Sequence, residues 1–149
     1  MSIPQQGGGP IERPEQLAEY IASGEKPKDR WRIGTEHEKF GYRHSDLMPL
    51  PYDAPTGQPS VKAMLEGLRD RFGWTPVLEA GHIIGLERDG ANVSLEPGGQ
   101  LELSGAPVET IHDTHAETIR HLDEVRAIAD GMNAGFMGLG AAPVWHQDD

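Results

Sequence analysis

The residues of this chain best suited to chemistry are glutamates placed at strand spacing. In S-L-E-P-G-G-Q-L-E-L-S, Ser94 to Ser104, the polar residues Gln100, Glu102 and Ser104 alternate with Leu101 and Leu103. That is the period-two pattern of a half-buried strand. Glu96 stands just before the Pro97-Gly98-Gly99 break. A second stretch, W-R-I-G-T-E-H-E-K-F-G-Y from Trp31 to Tyr42, has the same character. In strand phase Arg32, Gly34, Glu36, Glu38 and Phe40 share one face, and Trp31, Ile33, Thr35 and His37 share the other. Two glutamates two residues apart lie about 7 Å apart along a strand and repel unless a cation stands between them. Taken alone, Glu36 and Glu38 read first as an exposed, charged strand face. With Glu96 and Glu102 there is a second reading: four carboxylates from three strands, hard oxygen ligands that could hold two or more magnesium ions around a nucleotide's phosphates. Strand neighbours are not visible in a sequence, so both readings stand.

Other polar residues are less specific. Gly98-Gly99 is either an ordinary turn or a place where backbone must come close to a substrate. His37-Glu38 with His44 does not have the H-E-x-x-H spacing of a zinc helix, and His112, His115 and His121 read as surface or packing residues on a helix. There is no G-x-x-x-x-G-K-[ST] loop and no dinucleotide fingerprint, so any nucleotide would be held through carboxylate-bound metal. Arg32, Lys39 and Arg88 are candidate partners for substrate carboxylates or phosphates. No residue is assigned as a catalytic acid or base.

Charge and composition narrow the classes. A net charge of -11 argues against nucleic acid as a partner, because neutralising phosphates takes a basic surface. No apolar run approaches a membrane span and the polar N-terminus has no signal-peptide core, so no membrane partner is expected. The expected location is the cytoplasm in a bacterium, or an organellar stroma or matrix in a eukaryote. The chain has no cysteine, which excludes disulfides, thiolate-bound zinc and thiol nucleophiles within it.

The elements that must position these residues can be read from spacing. Residues 1–10, with Gly7-Gly8-Gly9, read as a flexible tail. A short helix follows, with Pro14 in its first turn, Leu17, Tyr20 and Ile21 on one face, and Gly24 past its end. Met48 to Pro59 holds four prolines and reads as a loop. Ser60 reads as the N-cap of a helix to about Phe72, with Val61, Met64, Leu65, Leu68 and Phe72 inward and Gly73 closing it. Trp74 to Leu78 reads as a strand. Asp89-Gly90 is the favoured pair for a tight hairpin turn, which sets Arg88 opposite Ala91, Leu86 opposite Val93 and Ile84 opposite Leu95. Glu87, Asn92, Ser94 and Glu96 then share the other face. Val108 to Met132 is the longest helical pattern, with Ile111, His115, Ile119, Leu122, Val125, Ala129 and Met132 at three- and four-residue spacing. It is long enough to lie across the back of an antiparallel sheet. Ala134 to Leu139 reads as one more strand, and Trp145 to Asp149 closes nothing.

Taken together, R-I-G-T-E-H-E-K-F-G-Y, M-P-L-P-Y-D, V-K-A-M-L-E-G-L-R-D-R-F-G-W and I-I-G-L-E-R-D-G-A-N-V-S-L-E-P-G-G-Q-L-E-L-S-G-A-P closely resemble the plant and proteobacterial type of glutamate–cysteine ligase. The resemblance runs from about Trp31 through Trp145. It implies an α+β fold similar to glutamine synthetase, a curved antiparallel sheet cradling substrates with helices on its outer face. It also implies ATP and Mg2+ (or Mn2+), with L-glutamate and L-cysteine joined through an acyl phosphate in the first step of glutathione synthesis. Glu36 and Glu38 match the family's E-x-E, and Glu96, Gln100 and Glu102 match its E-P-G-G-Q-x-E. The glutamates are then expected as metal ligands, and Gln100 as a substrate or nucleotide contact beside Gly98 and Gly99. Residues 11–149 would be the N-terminal part of one catalytic domain, truncated at its C-terminus, and the chain alone is expected to turn over poorly. Plant members use cysteines for redox control; here His115 stands where they tend to carry one. The alternatives are a related carboxylate–amine ligase with another amine acceptor, separable by amine-dependent ADP release, and a non-catalytic metal- or nucleotide-binding module, which any magnesium-dependent ADP formation would exclude.

Overall fold

The computed structural model of the protein describes residues 9–144. Most of the expected tail, and the whole of Trp145 to Asp149, lie outside the described residues. The elements are α1 (Glu15–Ala22), β1 (Glu36–Arg43), α2 (Val61–Phe72), β2 (Thr75–Glu79), β3 (His82–Arg88), β4 (Ala91–Glu96), β5 (Gln100–Ser104), α3 (Ile111–Met132) and β6 (Ala134–Met137). Six strands form one sheet in the order β2-β3-β4-β5-β1-β6, and every pairing is antiparallel. The fold is α+β, as expected.

Turn chemistry sets the hairpins. Asp89 and Gly90 both have positive φ (53° and 84°), the geometry of a primed two-residue turn, and Arg88 pairs with Ala91 and Leu86 with Val93. The expected Ile84–Leu95 pair is not formed. The β2–β3 register slips between Val77 and Leu78, from Val77–Gly85 to Leu78–Ile83. That skips Ile84 and sends Ile83 into the core, as a bulge does. A second tight turn, Ala80-Gly81, also has positive φ at both residues (48° and 84°) and joins β2 to β3.

One face of the sheet is covered by α2 and α3. Val61, Met64, Leu65 and Leu68 of α2 pack with Leu86, Val93, Leu101 and Leu103 of the sheet and with Val125 and Ala129 of α3. Ser60 caps α2 by accepting from Ala63 N, and Gly73 closes it in the left-handed conformation at φ 73°. Gly67 lets the helices approach: a side chain there would run into Ile128.

Three further expectations need correction. The strand read from Trp31 begins only at Glu36; Ile33 instead forms an isolated bridge with Val108, and Arg32 lies outside the sheet. The apolar face of α1 covers nothing among the described residues: Leu17, Tyr20 and Ile21 are exposed. In α3 the C-terminal half packs as expected through Val125 and Ala129, but the N-terminal half is rotated. Ile111 is 63% exposed and Ile119 is also exposed, whereas Thr114, Glu117, His121 and Glu124 face inward. The reason is what lies beneath. The helix meets Trp74 Nε1, Arg88 and Ala106 N there, groups that need polar partners because a buried donor left unpaired costs more than a bond returns.

Candidate functional site

The sheet face away from α2 and α3 gathers the glutamates. Strand alternation puts Glu38 opposite the core-facing Lys39, and Glu102 between the core residues Leu101 and Leu103. Register does the rest: Glu38 stands directly across from Glu102 on β5, and Glu102 directly across from Ser94 on β4. The flanking rows are Glu36–Ser104–Asn92 on one side and Gln100–Glu96 on the other. The four glutamates therefore lie on one face, drawn from β1, β4 and β5, around a centre at Glu38 and Glu102.

Neutral donors orient the central pair. Gln100 Nε2 donates to Glu38 Oε2 at 2.9 Å and to the carbonyl of Leu139 at 3.0 Å. Ser94 Oγ donates to Glu102 Oε2 at 3.1 Å, and Ser104 Oγ to Glu102 Oε1 at 3.4 Å. Glu102 is only 7% exposed, while Glu36 and Glu38 are open to solvent. Facing carboxylates on neighbouring strands are unfavourable by themselves. Ser94 and Ser104 orient Glu102, and the buried Lys39 ammonium interacts with its charge from the core side of the sheet. Both serines are legible as period-two partners of the glutamates, but nothing in the sequence says which carboxylate each would bind.

Beneath this face sits Lys39, which the sequence suggested as a substrate contact. It is 1% exposed and points into the core side of β1. Its ammonium donates to the carbonyl of His37 at 2.9 Å and of Leu101 at 3.3 Å. Burial lowers its pKa to about 8, and the charge of Glu102 acts in the opposite sense. Burial, with Lys39 nearby, also lowers the pKa of His37.

The other expected contacts sit elsewhere. Arg32 pairs with Glu109 at 3.0 Å near the surface. Arg88 shares the core-side phase of Leu86, lies 4.2 Å from the centroid of the Trp74 ring, and pairs with Glu124 at 2.7 Å. Neither joins the glutamate face. Gly98 and Gly99 have φ of 79° and 75°, so the β4–β5 connection itself demands glycine there.

The donor set bears directly on metal binding. No group of three His, Asp or Glu residues stands ready to hold a metal ion among the described residues. Two facing carboxylates with no imidazole or thiolate fit a hard divalent cation that takes its remaining oxygens from substrate phosphates and water, the usual manner for Mg2+. Glu38 and Glu102 are the facing carboxylates that would anchor it.

Residues 32–149 match the sequence model of Glutamate-cysteine ligase family 2 (GCS2). Over 135 residues, 91% of this chain, it is 48% identical to the chloroplastic glutamate–cysteine ligase of Medicago truncatula and 49% identical to that of Arabidopsis thaliana, covering 25% of each. Glutamate–cysteine ligase A, chloroplastic, from Oryza sativa subsp. japonica is 47% identical over the same length, with 26% of it covered. The chain thus spans about a quarter of the length of these curated relatives. It belongs to glutamate–cysteine ligase family 2.

Proposed function

We propose that this chain supplies the metal- and phosphate-holding face of an ATP-dependent glutamate–cysteine ligase, an enzyme of glutathione synthesis. The observation that carries the reading is the Glu38–Glu102 pair across β1 and β5, oriented by Gln100, Ser94 and Ser104. In the reaction, the γ-phosphoryl group of ATP passes to the γ-carboxylate of L-glutamate and ADP leaves. The amine of L-cysteine then attacks the acyl carbon, phosphate leaves, and the amine gives up a proton. A bound Mg2+ or Mn2+ supplies positive charge where the carboxylate and phosphate anions must meet. Glu38 and Glu102 would hold that charge in place. Glu36 and Glu96 extend the negative rim on either side, and Gln100 fixes Glu38 while tethering the segment at Leu139. No step requires a protein nucleophile. The names of the plant relatives place those enzymes in the chloroplast; an organellar stroma, or the cytoplasm of a bacterium, is the corresponding location here.

The test is a manganese titration of the protein with and without ATP, beside Glu102→Gln, with circular dichroism to confirm that both are folded. Saturable binding that ATP strengthens and the substitution weakens at least tenfold is the expected result. Equal binding by the folded variant would remove Glu102 from the site.

A further inference from the structure

The two carbonyls that Lys39 holds stand at matching places on neighbouring strands. That of His37 belongs to the peptide leading into Glu38, and that of Leu101 to the peptide leading into Glu102. Glu38 and Glu102 face each other across β1 and β5. One ammonium on the core side of the sheet thus ties the strands together where both carboxylates leave on the other side. Lys39 is 1% exposed, and a buried charge is screened by salt far less than one in water. Its two hydrogen bonds go to neutral groups, and the charge that answers it is that of Glu102. Arg32 and Arg88 do not share this position, because each is paired elsewhere, with Glu109 and Glu124.

That position resolves a difficulty in the glutamate face. The face carries four carboxylates on a chain of net charge -11, a field that draws in a bare divalent cation and opposes a net anion. A divalent cation complexed with ATP is a net anion, since the phosphates outweigh the metal. The carboxylates alone therefore favour the wrong species. A fixed positive charge beneath Glu38 and Glu102 acts on both species in the useful sense. It repels the bare cation and attracts the phosphates that accompany a complexed one. We propose that Lys39 is a specificity-determining residue, whose buried charge makes the Glu38–Glu102 pair prefer a nucleotide-complexed divalent cation to the bare ion. This inference rests on the metal–nucleotide reading above and adds why metal and nucleotide arrive together.

The test is a calorimetric titration of the intact protein with two probes, Mn2+ alone and Mn2+–ATP, beside Lys39→Met and Lys39→Gln, with circular dichroism to show that each variant is folded. Methionine keeps an unbranched stem without the charge, and glutamine keeps a neutral donor. The unaltered protein should prefer Mn2+–ATP. In either variant Mn2+ alone should bind about tenfold more tightly, the order of a unit charge acting on a dication across a sheet. Mn2+–ATP should bind equally or more weakly, so the preference for it shrinks. A lysine that served only to pack would, when replaced, loosen the site and weaken both probes together. That result, or an unchanged preference, overturns the proposal, as does an unaltered protein that shows no preference. Loss of both probes in Glu102→Gln would then keep the carboxylate reading while the Lys39 proposal falls. Indifference of both probes to Glu102→Gln would sink the carboxylate reading, and the proposal with it. Should neither Lys39 variant fold, the Lys39 ammonium signal of the unaltered protein decides by NMR. Mg2+ alone should shift it further than Mg2+–ATP, and equal shifts overturn the proposal.

Discussion

A carboxylate oxygen of Glu117 lies against Gly105, in the space that a Cβ at that position would fill. The other oxygen accepts a hydrogen bond from Ala106 N at 3.0 Å, and Gly105 N in turn donates to the carbonyl of Thr35 at 2.7 Å. One side chain of α3 therefore grips the end of β5, and β5 fixes the entry of β1 beside Glu36. The glycine of S-G-A-P is explained by a helix that reaches the sheet there with a carboxylate rather than with an apolar group.

Gly105→Ala should push that carboxylate away, and Glu117→Ala should leave Ala106 N without its partner. Each change should cost about 1–3 kcal/mol in urea unfolding, the range for a buried group that loses its hydrogen bond. Because both remove the same contact, the double variant should cost less than the sum. Strict additivity would show that Glu117 and Gly105 act independently.

Glu38→Gln and Glu102→Gln should separate function from stability. Glu38→Gln removes one charge from a facing pair of carboxylates, so its unfolding midpoint should stay level or rise, by up to about 1 kcal/mol in stability; Glu102→Gln also removes the charge that favours the buried Lys39 ammonium, so it should gain less. Metal–nucleotide affinity should fall at least tenfold. Glu36→Gln should do less on both counts, since Glu36 is exposed and faces Ser104 rather than a carboxylate. A loss of stability in Glu38→Gln would mean that the facing carboxylates do not repel one another in the folded protein.

His121 should make the fold acid-sensitive. It is 2% exposed and neither ring nitrogen has a partner among the described residues. Its ring meets Trp74 edge-on, and it lines a small cavity with Glu117, Arg88 and Arg120. Burial, reinforced by the charges of Lys39, His37 and Arg88, lowers its pKa from 6.5 to about 3. The unfolded chain then takes up a proton near pH 6.5 that the folded protein refuses until about pH 3. Stability present above pH 6.5 is lost as pH falls through that window, at up to about 1.4 kcal/mol per pH unit. Between pH 7 and 5 the protein should lose about 2 kcal/mol more than His121→Leu, the carboxylates common to both cancelling in the comparison. Equal losses would show that His121 titrates normally in the fold.

How much of this was legible depended on how local each cause was. Asp89-Gly90, Ser60 and Gly73 act through their own backbone, and each stands where its chemistry predicts. Period two put Glu36 with Glu38 and Gln100 with Glu102, because a strand's faces follow from the chain alone. That Glu38 faces Glu102 follows from the register of β1 on β5, between residues more than sixty positions apart, and no local pattern encodes it. The rotation of α3 was hidden for a related reason. Ile111, His115 and Ile119 form a good stripe by spacing, but the surface under that half of the helix is polar, and Thr114, Glu117, His121 and Glu124 meet it instead. Ile84 was misplaced by a bulge in β3 that its own residues do not announce.

Arg88 is where that polar layer can be told apart from the glutamate face. Its guanidinium stacks on Trp74, donates to the carbonyl of Phe72 at 2.9 Å and pairs with Glu124 at 2.7 Å, while Trp74 Nε1 donates to the other oxygen of Glu124 at 2.8 Å. Arg88→Met would leave a buried carboxylate supported only by an indole, a change that typically costs about 3–5 kcal/mol. Arg88→Met combined with Glu124→Gln should recover part of that loss, because no uncompensated charge remains. At a temperature where each variant is folded, Mn2+–ATP affinity should not change, since the side chain lies on the opposite side of the sheet from Glu38 and Glu102. Weakened nucleotide binding in a fully folded Arg88→Met would instead show that this arginine reaches the substrate, and that the polar layer under α3 belongs to the reaction.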